Sequence, residues 1–345
     1  MNMMQRQKVL RITINDIAKL TNVSKSTISR VINESGPVSS KTREKVMQAI
    51  DALNYQPNEI ARSLSLKRTK TIGVIVQDIR NPYYAESCWH AERVFKKYDY
   101  KIIISNADNN REDEVTNLDG MRFRNVDGIL CVGIQEDSAR IIHFLSTTDI
   151  PVVVVDREIN GFDVKKVILD NEYGGQLVAD YLFSLGHRDI AFVTSRYTQA
   201  ERSRLDGFKN AFGSRELQLP SEYIITQSEE SWHKGECPAL LKLLKSGSAP
   251  TAIFASNDFK AFHVLNILKK SNILVPDDVS LVGYDDVDAA SYVSPSLTTV
   301  HQPVDKMIDR GAQMLIKLIN NEENEEIETV LRPWLVERDS TKKIV

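Results

Sequence analysis

The 345-residue chain is 42% apolar and 26% charged, the balance of an ordinary soluble protein long enough for more than one domain. No apolar run reaches membrane-spanning length, and residues 1–12 lack the apolar core and small-residue cleavage site of a secretory leader, so a cytoplasmic location and no membrane partner are expected. The net charge of −3 conceals a division: residues 1–70 carry 13 Lys/Arg against 5 Asp/Glu, and the remainder 31 against 42, which points to a polyanion partner for the amino-terminal end alone.

The first predicted helix follows Thr13 as its cap, with Asp16 in the first turn and an apolar face of Ile17, Ala18 and Leu20; Asn22-Val23 ends it. Ser24 caps a second helix over residues 25–33 that turns Ile28, Val31 and Ile32 inward, and Ser40 caps a third in which Val46, Ile50 and Leu53 recur at helical spacing. Two short helices across a tight turn, closed by a third, make a helix-turn-helix unit. The outer face of the second helix carries Lys25, Ser26, Thr27, Ser29 and Arg30, short polar and cationic side chains of the kind that read base edges in a major groove. A generic three-helix bundle would more often place Glu–Lys pairs four apart on such a face, and none occurs here. Next, Pro57-Asn58 opens Glu59-Ile60-Ala61-Arg62-Ser63-Leu64, a helix too short to persist in water unless it docks, and the basic linker Lys67, Arg68, Lys70 follows.

From Thr71 onward, apolar strand-like runs at 72–76, 101–105, 128–132, 152–156, 167–170, 190–193, 223–226, 252–255 and 279–283 alternate with helical patterns. These are too many for one comfortable sheet, so two doubly wound parallel lobes are expected, with a ligand between them at the carboxyl ends of the strands. Polar residues gather at those ends: Gln77-Asp78 and then Asn81-Pro82-Tyr83-Tyr84, Asp156-Arg157, Asp170-Asn171, Ser256-Asn257-Asp258 and Tyr284-Asp285-Asp286. Carboxylates accept several hydroxyl donors and an Arg spans two sugar oxygens, so the set suits a polyhydroxylated ligand; the same residues equally suit helix caps, most of all Asp170 and Asp286. Gly174-Gly175 has no phosphate-loop context and reads as a packing feature. Cys88, Cys131 and Cys237 lie far apart and read as free buried thiols, and the six histidines form no cluster, so no metal or cofactor is expected.

The segments Thr13–Ala18, Val23–Asn33, Thr42–Val46 and Tyr55–Leu64, with a collinear match along nearly the whole chain, resemble the LacI/GalR family of repressors. The resemblance implies an all-α helix-turn-helix headpiece (12–57), a hinge helix and linker (58–70), and a two-lobed periplasmic-binding-protein-like α/β domain (71–345) with lobes of 71–168 plus 300–325 and 169–299 plus 326–345. It implies base reading by Lys25, Ser26 and Arg30, and backbone or neighbouring-base contacts from Thr13, Ser24, Thr27 and Ser29. It further implies a hinge helix that folds on DNA with Asn58 and Ala61, and a minor-groove wedge at Leu64, where unstacking one base step bends the duplex onto more protein. For the effector it implies Arg204 as the principal grip, with Asp285, Gln302, Asp156, Arg157 and Asn257, and with Tyr83 and Tyr84 in the wall. Trp232 falls where the family sets an aromatic ring against ligand, though lid or core packing suits it as well; Arg202 reads as a surface residue.

The expected partners are palindromic operator DNA, a sugar or sugar derivative, and a second copy of the chain. No leucine heptad follows the last strand-like run, so a two-fold dimer is the default. Within the family, a nucleobase effector or control by a phosphocarrier protein is the alternative, and Ser294 in Val293-Ser294-Pro295, where phosphocarrier-responsive members have Arg, argues against the latter. Outside it, a solute receptor would need an export signal, and an enzyme would need a nucleophile–base pair or dinucleotide fingerprint; neither is present, so no enzymatic activity is expected.

Overall fold

A computed structural model describes residues 12–33, 35–55, 68–108, 110–133, 139–157, 159, 162–195, 198–323 and 325–344. The expected hinge segment, with Asn58, Ala61 and Leu64, lies outside the described residues. The chain divides into two compact units, Met1–Lys70 and Thr71–Val345.

The first unit contains α1 (Ile14–Thr21), α2 (Lys25–Ile32) and α3 (Ser40–Ala52). At the start of α1 the Thr13 N–H and hydroxyl donate to the Asp16 carboxylate at 2.9 and 2.8 Å, and these two bonds, the backbone one first, hold that carboxyl below its usual range. Asn22 ends the helix in the left-handed region at φ 50°. The Ser24 hydroxyl accepts the Thr27 N–H at 3.2 Å, capping α2. The cap of α3 is Ser39, one residue before the expected Ser40, and it accepts the Thr42 N–H at 3.3 Å. Ile17, Ile28, Val31, Val46 and Ala49 form the core between the three helices. Leu20, expected on the apolar face, is exposed. The inward stripe of α1 runs through Ile14, Ile17 and Thr21 at three- and four-residue steps, and Leu20 falls beside it.

In the second unit the chain runs β1 (Thr71–Val76), α4 (Pro82–Lys97), β2 (Lys101–Asn106), α5 (Arg111–Phe123), β3 (Gly128–Val132), α6 (Ala139–Thr147), β4 (Val152–Val155) and β5 (Lys165–Leu169). It continues through α7 (Asn171–Ser184), β6 (Ile190–Thr194), α8 (Gln199–Gly213), β7 (Ile224–Thr226), α9 (Glu229–Lys234), α10 (Pro238–Leu244), β8 (Ala252–Ala255), α11 (Asp258–Lys270) and β9 (Ser280–Val282). It closes with β10 (Thr299–His301), α12 (Val304–Ile319), β11 (Glu328–Leu331) and β12 (Trp334–Val336). Six parallel strands form one sheet in the order β11-β5-β4-β3-β1-β2, and four form the other in the order β7-β6-β8-β9. Val74 faces Ile104 on one side and Leu130 on the other, and nearly continuous burial along β1 and β3 follows from helices covering both faces. Among the described residues no helix is long and apolar enough to cross a membrane.

The return of the chain differs from the expected boundary at 326. Glu328–Leu331 adds to the first sheet, with Glu328 opposite Lys166, so the first lobe runs to residue 331. The physical reason is the edge of β5, whose unpaired backbone groups β11 satisfies. Beyond Arg332-Pro333 the chain crosses: β12 pairs antiparallel with β10, and the Leu281 N–H donates to the Ser340 carbonyl at 2.8 Å, stitching the end of the chain to the second sheet.

Candidate functional site

The carboxyl ends of both sheets face a cavity of about 60 Å³. In the first lobe, Asn81 caps α4 by accepting the Tyr83 N–H at 3.1 Å, and Pro82 in the first helical turn has no N–H to waste. This start delivers Tyr83 and Tyr84 to the cavity wall, their rings edge to face at 5.2 Å, with the Tyr84 hydroxyl donating to Gln77 Oε1 at 2.5 Å. At the end of β4, Asp156 takes a φ of 63°, and Arg157 folds back to donate through Nη1 to the Asp156 carboxylate at 2.9 Å.

In the second lobe, α7 and α8 meet backbone to backbone. A Cβ on Gly175 would lie 1.9 Å from the Arg204 carbonyl oxygen, and one on Gly207 1.8 Å from that of Glu172, so only glycine allows the approach. The approach sets Arg204 at the cavity. Its Nε donates to Asn171 Oδ1 at 2.8 Å, its Nη1 to the Ser256 carbonyl at 2.6 Å, and its guanidinium lies 3.7 Å over the Tyr284 ring. Asp285, at the end of the turn after β9, has a φ of 128°, stands 3.9 Å from Arg204 and accepts Gln302 Nε2 at 2.6 Å. Burial pushes the Asp285 carboxyl well above its usual range, against the opposing pull of Arg204. Two non-glycine residues in left-handed geometry, Asp156 and Asp285, on opposite lobes of one cavity are the backbone strain that concentrates at binding sites.

Of the residues expected to meet the effector, Tyr83, Tyr84, Asp156, Arg157, Arg204, Asn257, Asp285 and Gln302 line this cavity. Trp232 does not. It is fully buried and packs in the second-lobe core among Cys237, Leu240 and Val264, near His263. Asp170 caps α7 by accepting the Tyr173 N–H at 3.0 Å, and Asp286 is held by His301 at 2.7 Å and Arg338 at 2.6 Å; neither enters the cavity. Thr198, Glu201, Phe259 and Lys260 line the wall without having been singled out. The signal for Glu201 lay in the capping box with Thr198, one helical turn before Arg204. Burial would raise the Glu201 carboxyl, but the Lys260 ammonium 3.0 Å away and the Ser256 hydroxyl bring it below its usual range.

Among the described residues, three buried polar atoms on the wall residues have no partner: the Tyr83 hydroxyl, Asp156 Oδ1 and Gln302 Oε1. Buried polar groups are normally satisfied, so these three atoms hold unspent hydrogen-bonding capacity beside the cavity. A second hollow of about 210 Å³ adjoins through Asp156, Arg157 and Ala200. Among the described residues no cluster of His, Cys, Asp and Glu could hold a metal ion, and Cys88, Cys131 and Cys237 are buried and free.

In the first unit, Ser24, Lys25, Ser26 and Arg30 are exposed on α2, whereas Thr27 and Ser29 are half-buried. The Thr27 hydroxyl lies 2.8 Å from that of Ser24, and Ser29 Oγ accepts from Asn33 at 3.2 Å. The Ser26 hydroxyl also lies 2.9 Å from that of Ser24, which leaves Lys25 and Arg30 as the exposed cations of this helix.

A family model of the periplasmic binding protein-like domain matches residues 179–341, and one of bacterial regulatory proteins, lacI family, matches residues 13–58. The HTH-type transcriptional repressor PurR of Vibrio parahaemolyticus is 34% identical over 337 residues, covering 96% of this chain and 99% of that protein. Among solved structures, the complex of the transcriptional regulator CelR with cellobiose is 28% identical with a TM-score of 0.70, covering 96% of this chain and 100% of that one. The lac repressor dimer bound to operator and the anti-inducer ONPF is 26% identical with a TM-score of 0.84, covering 96% and 99%.

Proposed function

The chain belongs to the lacI family of bacterial regulatory proteins and is a DNA-binding transcriptional repressor, and from that premise we propose that a small sugar or sugar derivative tunes its hold on a palindromic operator controlling carbohydrate-utilisation genes. The observation that carries the effector reading is the wall of the 60 Å³ cavity: two strained aspartates, a buried arginine and three buried polar atoms without a described partner, drawn from strand ends and helices of both lobes. In this reading two copies place their α2 helices in successive major grooves, with Lys25, Ser26 and Arg30 on base edges. The segments at 58–64 fold together on the DNA and insert Leu64 into the minor groove. Ligand changes the relation between the lobes and so the spacing of those segments, and a coupling of about 1–3 kcal/mol alters occupancy five- to a hundredfold.

A nucleobase is the second reading of the ligand, favoured by the aromatic rings of Tyr83 and Tyr84 in the wall. The testing experiment is a thermal-shift screen of sugars and nucleobases on the purified chain, in which ligand at a hundred times its Kd adds about 2.7 kcal/mol. Arg204→Ala then abolishes the shift and the dose response of an operator-driven reporter while operator binding without ligand persists. A normal dose response in that variant contradicts the assignment.

A further inference from the structure

We infer that the effector is electrically neutral and rich in hydroxyl donors, and that the charge pairing of the cavity wall excludes phosphorylated and carboxylated sugars. This rests on the reading of the cavity as the effector site and says which chemistry the site accepts.

Among the described residues, each cation of the wall is already engaged by groups of the protein. Lys260 Nζ lies 3.0 Å from Glu201, Arg157 Nη1 2.9 Å from Asp156, and Arg204 Nη1 3.9 Å from Asp285. All six side chains are buried. Asp78, also in the wall, is held from outside by Arg80 through two bonds at 2.9 and 2.8 Å. An entering phosphate or carboxylate would be stripped of water with no described cation of the wall left over to neutralise it, and it would meet the carboxylates of Asp156 and Glu201 already in place.

The orphan atoms point the same way. Asp156 Oδ1 and Gln302 Oε1 are acceptors only, and the Tyr83 hydroxyl donates or accepts. An anionic group brings oxygens that accept and a charge that repels, so it leaves both acceptors unmatched. Neighbouring hydroxyls of a polyol each bring a donor, and their own oxygens accept from Tyr83 in return. Gln302 Nε2 and Arg157 Nη1, the donors adjacent to those acceptors, are engaged with Asp285 and Asp156. Two of the three orphan atoms therefore call for a donor.

Glu201 is the residue that sets this selectivity. Without its charge, Lys260 in the wall becomes a site for an anion. Glutamine at 201 keeps the volume and, with its amide oxygen on Thr198, the cap, while its amide nitrogen stands where an oxygen accepted from Lys260 and Ser256, so the change removes the charge and releases Lys260.

The test is isothermal titration of the full-length chain with matched sets: glucose, glucuronate and glucose 6-phosphate; galactose, galacturonate and galactose 6-phosphate; and cellobiose with cellobionate, with hypoxanthine and guanine as separate arms. The expected result is saturable binding to a neutral sugar, with its charged congeners at least tenfold weaker, and a shift of at least fivefold in that ratio toward the charged congener in Glu201→Gln. A charged congener that binds as tightly as its neutral parent, and loses binding in Arg204→Ala, overturns the neutrality inference while leaving the sugar reading intact. Binding by a nucleobase alone overturns the sugar reading and the demand for hydroxyls. An unchanged ratio in Glu201→Gln removes charge pairing as the cause of selectivity, and silence of every neutral sugar counts against the inference as well.

Discussion

Asp258 is fully buried behind the cavity wall, where it accepts the Thr299 hydroxyl at 2.6 Å and the Val287 N–H at 3.0 Å, and burial raises its pKa to about 6. In the unfolded chain the same carboxyl titrates near 3.8. Between those values the unfolded state has released a proton that the folded state retains, so stability falls as pH rises from about 4 to about 6 and is fully present only below that window. The span sets a ceiling of about 3 kcal/mol. Asp258→Asn is expected to flatten the dependence of unfolding free energy on pH across this range in denaturant melts; an unaltered slope would place the effect on another acid. Trp232 makes the contrasting case. Its ring fills the second-lobe core, so Trp232→Ala is expected to remove about 3–5 kcal/mol of stability while leaving ligand affinity in the surviving folded protein within a few-fold of the parent. A selective loss of affinity at unchanged stability would return Trp232 to the ligand. For Arg30, exposed on α2, substitution by alanine is expected to weaken specific operator binding by about 1–3 kcal/mol and to relax one base position in a site selection. Retained specificity would remove Arg30 from base reading.

At the scale of elements, the contact of α7 with α8 is the joint on which the grip of Arg204 depends. Gly207→Ala drives a methyl into the Glu172 carbonyl, and the helices must part. A loss of at least 1–3 kcal/mol is expected, together with weakened ligand binding, because Asn171 and Arg204 sit on the two separating helices and share a hydrogen bond. Gly213, at the end of the same helix, has nothing within 4 Å of an added Cβ, and Gly213→Ala is the control that should leave both properties near their parent values. Equal behaviour of the two variants in thermal melts and titrations would show that helix propensity, rather than packing, governs the joint. The cap of α2 behaves differently. Ser24 holds the first turn of that helix through the Thr27 N–H, and Ser24→Ala should cost about 1 kcal/mol of headpiece stability.

For the whole molecule, the separation of charge between the ends becomes a prediction about salt. The cationic first 70 residues bind phosphates, so the logarithm of operator affinity should fall linearly with the logarithm of salt concentration, whereas ligand binding to the neutral-paired cavity should scarcely respond. Removal of residues 1–66 is expected to abolish DNA retardation and preserve the ligand-induced thermal shift, since Thr71–Val345 is a compact unit of its own. Loss of both activities would tie the body's fold to the headpiece.

What depends on a residue and its near neighbours in sequence was legible before any coordinates. The Thr13 and Ser24 caps, the inward faces of Ile17, Ile28 and Val46, and the buried runs at 72–76, 128–132, 190–193 and 252–255 are local patterns of period or capping chemistry, and the chain folds them as written. The strand-end polar residues could be picked out for the same reason, as could Asp170 in its role of cap. Other features depend on partners far along the chain. Lys260 finds Glu201 across 59 positions, β11 returns from residue 328 to cover the edge of β5, and Trp232 turns into a core rather than a cavity. No periodicity encodes such meetings, because which groups become neighbours is set by the crossing of two sheets and by two glycine-lined helices that pack at backbone distance.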